Sequence, residues 1–205
     1  MSITYPIAGI GRLRMGNDGP GIRTLVIMNG CPLKCKYCIN PFTWNGTKNP
    51  SMLSAAELYE KIIIDRLYIL ATNGGITFGG GEPLLYPGLV KEIRTICEPE
   101  MTIYLETSLN VEWENIKSVI DYVDCFYIDI KSMDNRIYKN YTGGRLDVAL
   151  NNLEKLISAK GAEHIVVRIP EIPGFVNEEK QRQSKEILSS IGVKRFNLFK
   201  YDTMY

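Results

Sequence analysis

The chain has 205 residues, of which 45% are hydrophobic and 23% charged, as is ordinary for a globular protein with a sizeable core. We expect one domain over residues 1–205. Lys and Arg total 24 against 23 for Asp and Glu, a balance that does not support nucleic acid or an anionic membrane as a partner. No apolar run reaches the roughly 20 residues that span a bilayer, and residues 1–6 lack a signal peptide's basic start.

Short apolar runs alternate with segments of helical spacing. The predicted strands are Arg23–Met28, Ile76–Phe78, Met101–Glu106, Cys125–Ile130, His164–Ile169 and Arg195–Phe199. Residues 1–17 form a lead-in with one short apolar run. The first predicted helix begins with a capping box at Ser54–Glu57 and ends at Asn73–Gly74. Strict alternation predicts a parallel sheet with right-handed crossovers, which a doubly wound sheet and a barrel-like sheet both satisfy.

Reactive and charged side chains fall at the ends of five consecutive predicted strands. They are Cys31, Cys35, Cys38, Gly79–Glu82, Glu106, Thr107, Asp129, Lys131 and Arg168. In parallel α/β folds, the functional site gathers at the carboxyl edge of the strands. We therefore predict one site at this edge.

Three of the five cysteines lie within eight residues, at Cys31, Cys35 and Cys38. A zinc knuckle would need a second Cys or His pair, and the sequence has none. Three thiolates without a fourth protein ligand leave one iron of an iron–sulfur cubane open. A three-cysteine zinc site or a fortuitous grouping stays an alternative. The odd, clustered count indicates metal rather than disulfides, and a reducing cytoplasm.

This loop resembles the cluster loop of the radical SAM enzymes, since Tyr37 stands just before the last cysteine. Gly79–Pro83, after a gap of 40 residues, resembles the GGE motif of the same superfamily. The resemblance implies one 4Fe-4S cluster on Cys31, Cys35 and Cys38, with S-adenosylmethionine (SAM) on the open iron. It also implies an incomplete (β/α)6 TIM-like barrel with parallel strands, and cleavage of SAM to a 5′-deoxyadenosyl radical.

Further motifs are similar to those of the activating enzymes of glycyl radical enzymes, of the pyruvate formate-lyase activase type. They are Asp18–Arg23, Asn40–Trp44, Asp129–Lys131, Tyr141–Gly143 and Ile172–Gly174. Such enzymes abstract a hydrogen from a backbone glycine of a large partner enzyme. The implied partners are therefore a glycyl radical enzyme and a flavodoxin or ferredoxin that donates the electron.

The resemblance also implies roles for single residues in binding SAM. Gly79, Gly80, Gly81 and Glu82 would hold its amino group. Tyr37 would stack near the adenine, and Glu106 and Thr107 would lie at the ribose. Lys131 and Arg168 suit the SAM carboxylate, as cations facing an anion. For each residue the alternative is an ordinary ion pair or a strand-end residue.

Other positions concern a cation and the partner. Asp129 and Glu106 are candidates for a monovalent cation site, and Asp18 matches a family position near the partner's glycyl loop. Ile39 and Asp202 stand where the family commonly has His. At Ile39, the surface that faces the partner departs from the family pattern. At Asp202, one contact to SAM departs from it.

The remaining cysteines and the histidine favour a single cluster. No cysteine lies between Cys38 and Gly79, where some activases carry a ferredoxin-like insert. Cys97 and Cys125 lie on apolar faces and are expected in the core. His164 is expected to be structural.

Two other functions remain open. One is a small-molecule radical SAM enzyme resembling 7-carboxy-7-deazaguanine synthases, against which Asp18–Arg23 and Asn40–Trp44 favour the activase. The other is a non-catalytic iron–sulfur or zinc module, which leaves Gly79–Pro83 without an explanation.

Overall fold

The computed structural model describes residues 3–44 and 49–201. Eight strands form a single sheet with the order β3-β1-β2-β4-β5-β6-β7-β8. The strands are β1 (Tyr5–Met15), β2 (Ile22–Met28), β3 (Ser51–Leu53), β4 (Gly75–Gly79), β5 (Thr102–Thr107), β6 (Cys125–Asp129), β7 (Ile165–Glu171) and β8 (Phe196–Lys200).

Seven α-helices connect the strands over the described residues. They are α1 (Ala55–Ile62), α2 (Arg66–Ala71), α3 (Pro87–Ile96), α4 (Trp113–Lys117), α5 (Asn135–Thr142), α6 (Leu146–Lys160) and α7 (Glu178–Ser190). The single helix expected up to Asn73 is divided, because a 3-10 turn at Ile63–Asp65 separates α1 from α2. Within 3–44 and 49–201, no helix combines the length and apolar character that crossing a membrane requires.

The six strands predicted from the sequence form the parallel part of the sheet. β2, β4, β5, β6, β7 and β8 pair in that order, each parallel to the next. β3 and β8 are the two edges, so the sheet does not close on itself. The predicted incomplete barrel with parallel strands is confirmed.

The lead-in is the main departure from the sequence-based prediction. Tyr5–Met15 is an 11-residue strand, antiparallel to both β2 and β3. Its register shifts between Ile7 and Gly9 and again between Gly11 and Arg14. Glycines and an exposed second half remove the apolar alternation that marks a strand, which explains why the pattern was missed.

The pleat of the parallel strands sends alternate side chains to the helices and to the concave side. In β5, Ile103 and Leu105 are fully buried in the main core, whereas Glu106 turns to the concave side and lines its cavity. Asp129 on β6 is in register with Arg168 on β7. The sheet therefore delivers charged side chains from neighbouring strands to one place.

The capping box predicted at the start of α1 is present. The Ser54 side chain accepts from the Glu57 amide, and the Glu57 carboxylate accepts from the Ser54 amide. We expect Ser54→Ala to lower the free energy of unfolding by about 1 kcal/mol, because an amide loses its acceptor. Urea denaturation would measure this. Ser189→Ala, at an exposed position of α7, is the control; equal losses in both variants would contradict the capping role.

Candidate functional site

The carboxyl ends of the parallel strands open into a cavity of about 420 Å³. Of the residues predicted for the site, all but Gly79 line it. They are Asp18, Cys31, Cys35, Tyr37, Cys38, Gly80, Gly81, Glu82, Glu106, Thr107, Asp129, Lys131 and Arg168. Residues that are far apart in the sequence thus meet at the predicted edge.

The cysteine loop is fixed on one side by the glycine stretch that follows β4. The Glu82 amide donates to the Gly30 carbonyl at 2.8 Å, and the Gly30 amide donates to the Thr43 carbonyl at 2.7 Å. A Cβ on Gly81 would lie 2.4 Å from the carbonyl oxygens of both Met28 and Gly30. Only glycine fits there, because the two loops touch through their backbones.

On the other side, the loop docks on the end of α5. The Lys34 amide donates to Thr142 at 2.7 Å, and the Lys36 amide donates to Tyr141 at 3.1 Å. These carbonyls belong to the last helical turn, which has no helical partners for them. Gly143 ends α5 in the left-handed region with a φ of 73°. This is the structural reason for the Tyr141–Gly143 motif.

The three thiols face one cavity without converging on one point. Within the described residues, no three His, Cys, Asp or Glu side chains are grouped closely enough to hold one metal ion. In a cubane each cysteine binds a different iron, so the thiolates are spread apart. Burial raises the pKa of Cys31 to about 12 and that of Cys35 to about 11, so metal binding must displace their protons.

Glu82 is buried and is bonded to the protein itself. Its carboxylate accepts from the Thr107 hydroxyl at 2.8 Å, and from the Ser108 amide and hydroxyl at 3.0 and 2.8 Å. Burial raises the pKa of Glu82, although these hydrogen bonds act in the opposite direction. Glu82 thus ties the loop after β4 to the end of β5. Ser108 was missed by the sequence analysis, although it directly follows two predicted site residues.

The other two glycines of the stretch are also explained by protein contacts. A Cβ on Gly79 would lie 2.7 Å from Glu106 Oε2. Gly80 has a φ of +77°, and a Cβ there would lie 2.5 Å from Ile27 Cγ2. Gly80 is thus required by its left-handed φ and by packing against β2, whereas Gly79 lies tightly against the Glu106 side chain.

A network of partly buried charges crosses three neighbouring strands. Arg168 donates from Nε and Nη2 to the two Asp129 oxygens at 2.8 and 3.0 Å, and from Nη1 to Glu106 Oε1 at 2.7 Å. Lys131 Nζ lies 3.4 Å from Asp129 Oδ2 and donates to the Tyr201 hydroxyl at 3.0 Å. The formal charges of the two carboxylates and two cations cancel.

The pKa values of the two carboxylates shift in opposite directions. Burial acts to raise the pKa of Asp129, but Arg168 and Lys131 outweigh it and lower that pKa. Burial raises the pKa of Glu106, which receives a single hydrogen bond from Arg168. The difference follows from their partners, since Asp129 faces both Arg168 and Lys131.

Tyr37 stands at the cavity wall with 41% of its surface exposed. Its ring makes edge contacts with Tyr141 and Phe175, at centroid distances of 6.0 and 6.2 Å. The contacts leave Tyr37 partly exposed to the cavity. Phe175 was not singled out by the sequence analysis, because an aromatic residue near a turn carries no specific signal.

The Asp18–Arg23 motif packs around a buried guanidinium. Arg23 Nε donates to the Thr77 hydroxyl at 2.7 Å, and that hydroxyl donates to the Asp18 carbonyl at 2.8 Å. The Asp18 carboxylate is paired with Arg14 Nε at 2.7 Å. Arg14 also lines the cavity and was missed, because it belongs to the segment interpreted as a lead-in.

Of the two positions where the family commonly has His, Ile39 is among the described residues. Ile39 is 79% exposed and lines the cavity. Asp202 lies outside the described residues.

Cys97 and Cys125 are buried, as expected. The His164 ring contacts the Asp124 carbonyl at 3.0 Å and is not among the cavity residues.

Comparison with known proteins decides the family. The model described as the radical SAM superfamily matches residues 25–182. The chain belongs to this superfamily. It is 32% identical to a pyruvate formate-lyase-activating enzyme from Clostridium pasteurianum, over 91% of this chain and 78% of that protein. It is 30% identical to a (2S)-3-sulfopropanediol dehydratase activating enzyme from Klebsiella oxytoca, over 87% of this chain and 75% of that protein. The chain is thus an enzyme of the glycyl-radical-enzyme activating family.

Solved structures share the fold. SuiB from Streptococcus suis, bound to S-adenosylmethionine, gives a TM-score of 0.63 at 16% identity and covers 85% of this chain. The enzyme spans 40% of the SuiB chain. QueE from Escherichia coli gives 0.51 at 14% identity, over 95% of this chain and 93% of its own. At such low identity these likenesses concern the fold alone.

The role of Glu82 in the fold can be tested without any cofactor. Glu82→Ala leaves the Ser108 amide and two hydroxyls buried without their acceptor, so we expect the free energy of unfolding to fall by about 3 kcal/mol. Urea denaturation of the cofactor-free protein would measure it. Glu60→Ala, at an exposed position of α1, serves as the control. If both variants were equally stable, Glu82 would serve a ligand rather than the fold.

Proposed function

We propose that this enzyme holds one 4Fe-4S cluster on Cys31, Cys35 and Cys38 and binds SAM beside it. The observation that carries the proposal is the meeting of these thiols with the predicted SAM residues in one cavity. When bound, cluster and SAM supply one-electron cleavage of the sulfonium to methionine and a 5′-deoxyadenosyl radical, which takes the α-hydrogen of a partner's glycine.

The residues of the chain would orient SAM. The backbone of Gly80, Gly81 and Glu82 would accept from the amino group, with Gly79 placing this stretch at the end of β4, while Lys131 and Arg168 would attract the carboxylate. Arg168 is already held by two carboxylates, so little side-chain entropy is lost on binding. Tyr37 would offer its ring to the adenine, and Glu106 with Thr107 would bind the ribose.

A monovalent cation at Glu106 and Asp129 would have to share both carboxylates with Arg168. The lowered pKa of Asp129 favours its carboxylate form as a ligand, although both of its oxygens accept from Arg168. We retain this site as a proposal, in which Glu106 Oε2 is the oxygen that Arg168 leaves free.

The substrate would be the backbone glycine of a glycyl radical enzyme. Asp18 and the exposed Ile39 line the cavity, where a polypeptide loop would enter. The activating enzymes at 30% identity or more favour this function over a small-molecule enzyme, for which QueE offers only a shared fold. The electron would come from reduced flavodoxin or ferredoxin, in the cytoplasm.

Cys35→Ala should abolish cluster-dependent SAM cleavage, because a cubane with two protein thiolates lacks a third anchor. Anaerobic reconstitution with iron and sulfide, reduction with dithionite, and assay of 5′-deoxyadenosine would measure it. Cys97→Ala, in the core, should retain cleavage. Undiminished 5′-deoxyadenosine from Cys35→Ala would contradict the assignment of the ligands.

Mixing the reduced, SAM-loaded enzyme with its partner should produce a glycyl radical signal in electron paramagnetic resonance. Pyruvate formate-lyase, sulfopropanediol dehydratase and 4-hydroxyphenylacetate decarboxylase are the probes, because relatives carry these names. A partner with Ala in place of its radical glycine is the control and should stay silent. Abundant 5′-deoxyadenosine without a radical on any probe would favour the small-molecule alternative.

A further inference from the structure

The cysteine loop presents alternate side chains to two sides. Leu33, Cys35 and Tyr37 line the cavity, whereas Lys34 and Lys36 are exposed and do not line it. The amides of both lysines dock on the last turn of α5. That helix carries two more exposed cations, Arg136 and Lys139. We define the basic face as Lys34, Lys36, Arg136 and Lys139.

The cations of the basic face are not held in ion pairs, although the Asp134 carboxylate at the start of α5 lies close enough to Arg136 to interact with it. Within the described part of the chain, none of its four cations forms an ion pair. Lys36 Nζ instead contacts the neutral Asn140 Oδ1 at 3.1 Å and lies 4.9 Å from the Phe175 ring centroid. By contrast, Arg145 just beyond α5 is paired with Asp147 at 2.6 Å. Since the whole chain carries only +1, these charges mark a local concentration.

The basic face also lies next to a predicted cluster ligand. Cys35 stands between Lys34 and Lys36 and packs against a small hydrophobic group that includes Tyr141 and Ile172. In the proposed reaction, SAM and the partner's glycine fill the cavity side. A protein that delivers an electron must therefore approach from outside the cavity, and this face offers a short route to Cys35.

We propose that the basic face is the docking site of an acidic one-electron donor protein, with Cys35 as the point of entry. The inference rests on the proposed function. The donor is oxidised by one electron, which passes to the cluster, and no proton or bond moves. Opposite charges on the two surfaces speed their encounter and lose this effect as salt increases.

Charge reversal on α5 tests the proposal without touching the cysteine loop. Arg136→Glu with Lys139→Glu should weaken binding of oxidised flavodoxin to the cluster-free enzyme by about tenfold at low salt. Isothermal titration calorimetry would measure it at two salt concentrations. The matched control, Lys117→Glu with Lys194→Glu, makes the same change in charge at exposed positions of α4 and the β7–β8 connection, and should bind like the wild type.

Stopped-flow reduction of the reconstituted enzyme gives a second measure. Reduced flavodoxin should react about tenfold more slowly with the α5 variant, whereas dithionite should reduce it at the wild-type rate. Glu at position 139, in the last turn of α5, disfavours the helix. Arg136→Gln with Lys139→Gln avoids this effect and should give a smaller loss of flavodoxin binding.

Equal binding by the α5 variant and the control, or binding that salt does not affect, would overturn the proposal. The docking proposal would also fail if neither flavodoxin nor ferredoxin bound the wild-type enzyme. The proposed function fails separately, if dithionite-reduced wild-type enzyme yields no 5′-deoxyadenosine from SAM.

Discussion

Backbone hydrogen bonds hold the cysteine loop between the glycine stretch after β4 and the end of α5. Glu82 donates to Gly30 on one side, and Lys34 and Lys36 donate to helix carbonyls on the other. Each such bond contributes roughly 0.5–1.5 kcal/mol, and none depends on a cysteine side chain. The loop is therefore shaped by the fold before any metal arrives, which is how a binding site is pre-organised.

The sequence was sufficient for the parallel part of the fold, because each of those strands is a compact apolar run between helical segments. It was insufficient for β1, where Gly9 and Gly11 interrupt the apolar pattern. This segment is a strand because its backbone pairs antiparallel with β2, not because its residues favour a strand. α5 was also missed. Only Tyr138, Tyr141, Thr142 and part of Ile137 turn inward, so the helix reads as a polar loop.

For the site, the sequence predicted which residues lie together but not which side chains bond to one another. The strand-end rule placed Glu106, Asp129 and Arg168 at one edge, because the parallel register leaves no other arrangement. It did not show that Arg168 is bound to both carboxylates, since side-chain pairing depends on distances across strands. Likewise, the motif that implies a role for Glu82 in binding SAM did not indicate that its side chain is bonded to Thr107 and Ser108.

The order of the sheet also says when the site can form during folding. From β4 to β8, each strand pairs with the next strand in the chain, so the sheet can grow stepwise toward β8. Glu106 and Asp129 come together once β6 has joined, but Arg168 arrives only with β7. Until then two carboxylates stand side by side without their guanidinium, and burying them unpaired is costly. Lys131, which follows β6, can pair with Asp129 before that step, but Glu106 gains its cation only when β7 has been added.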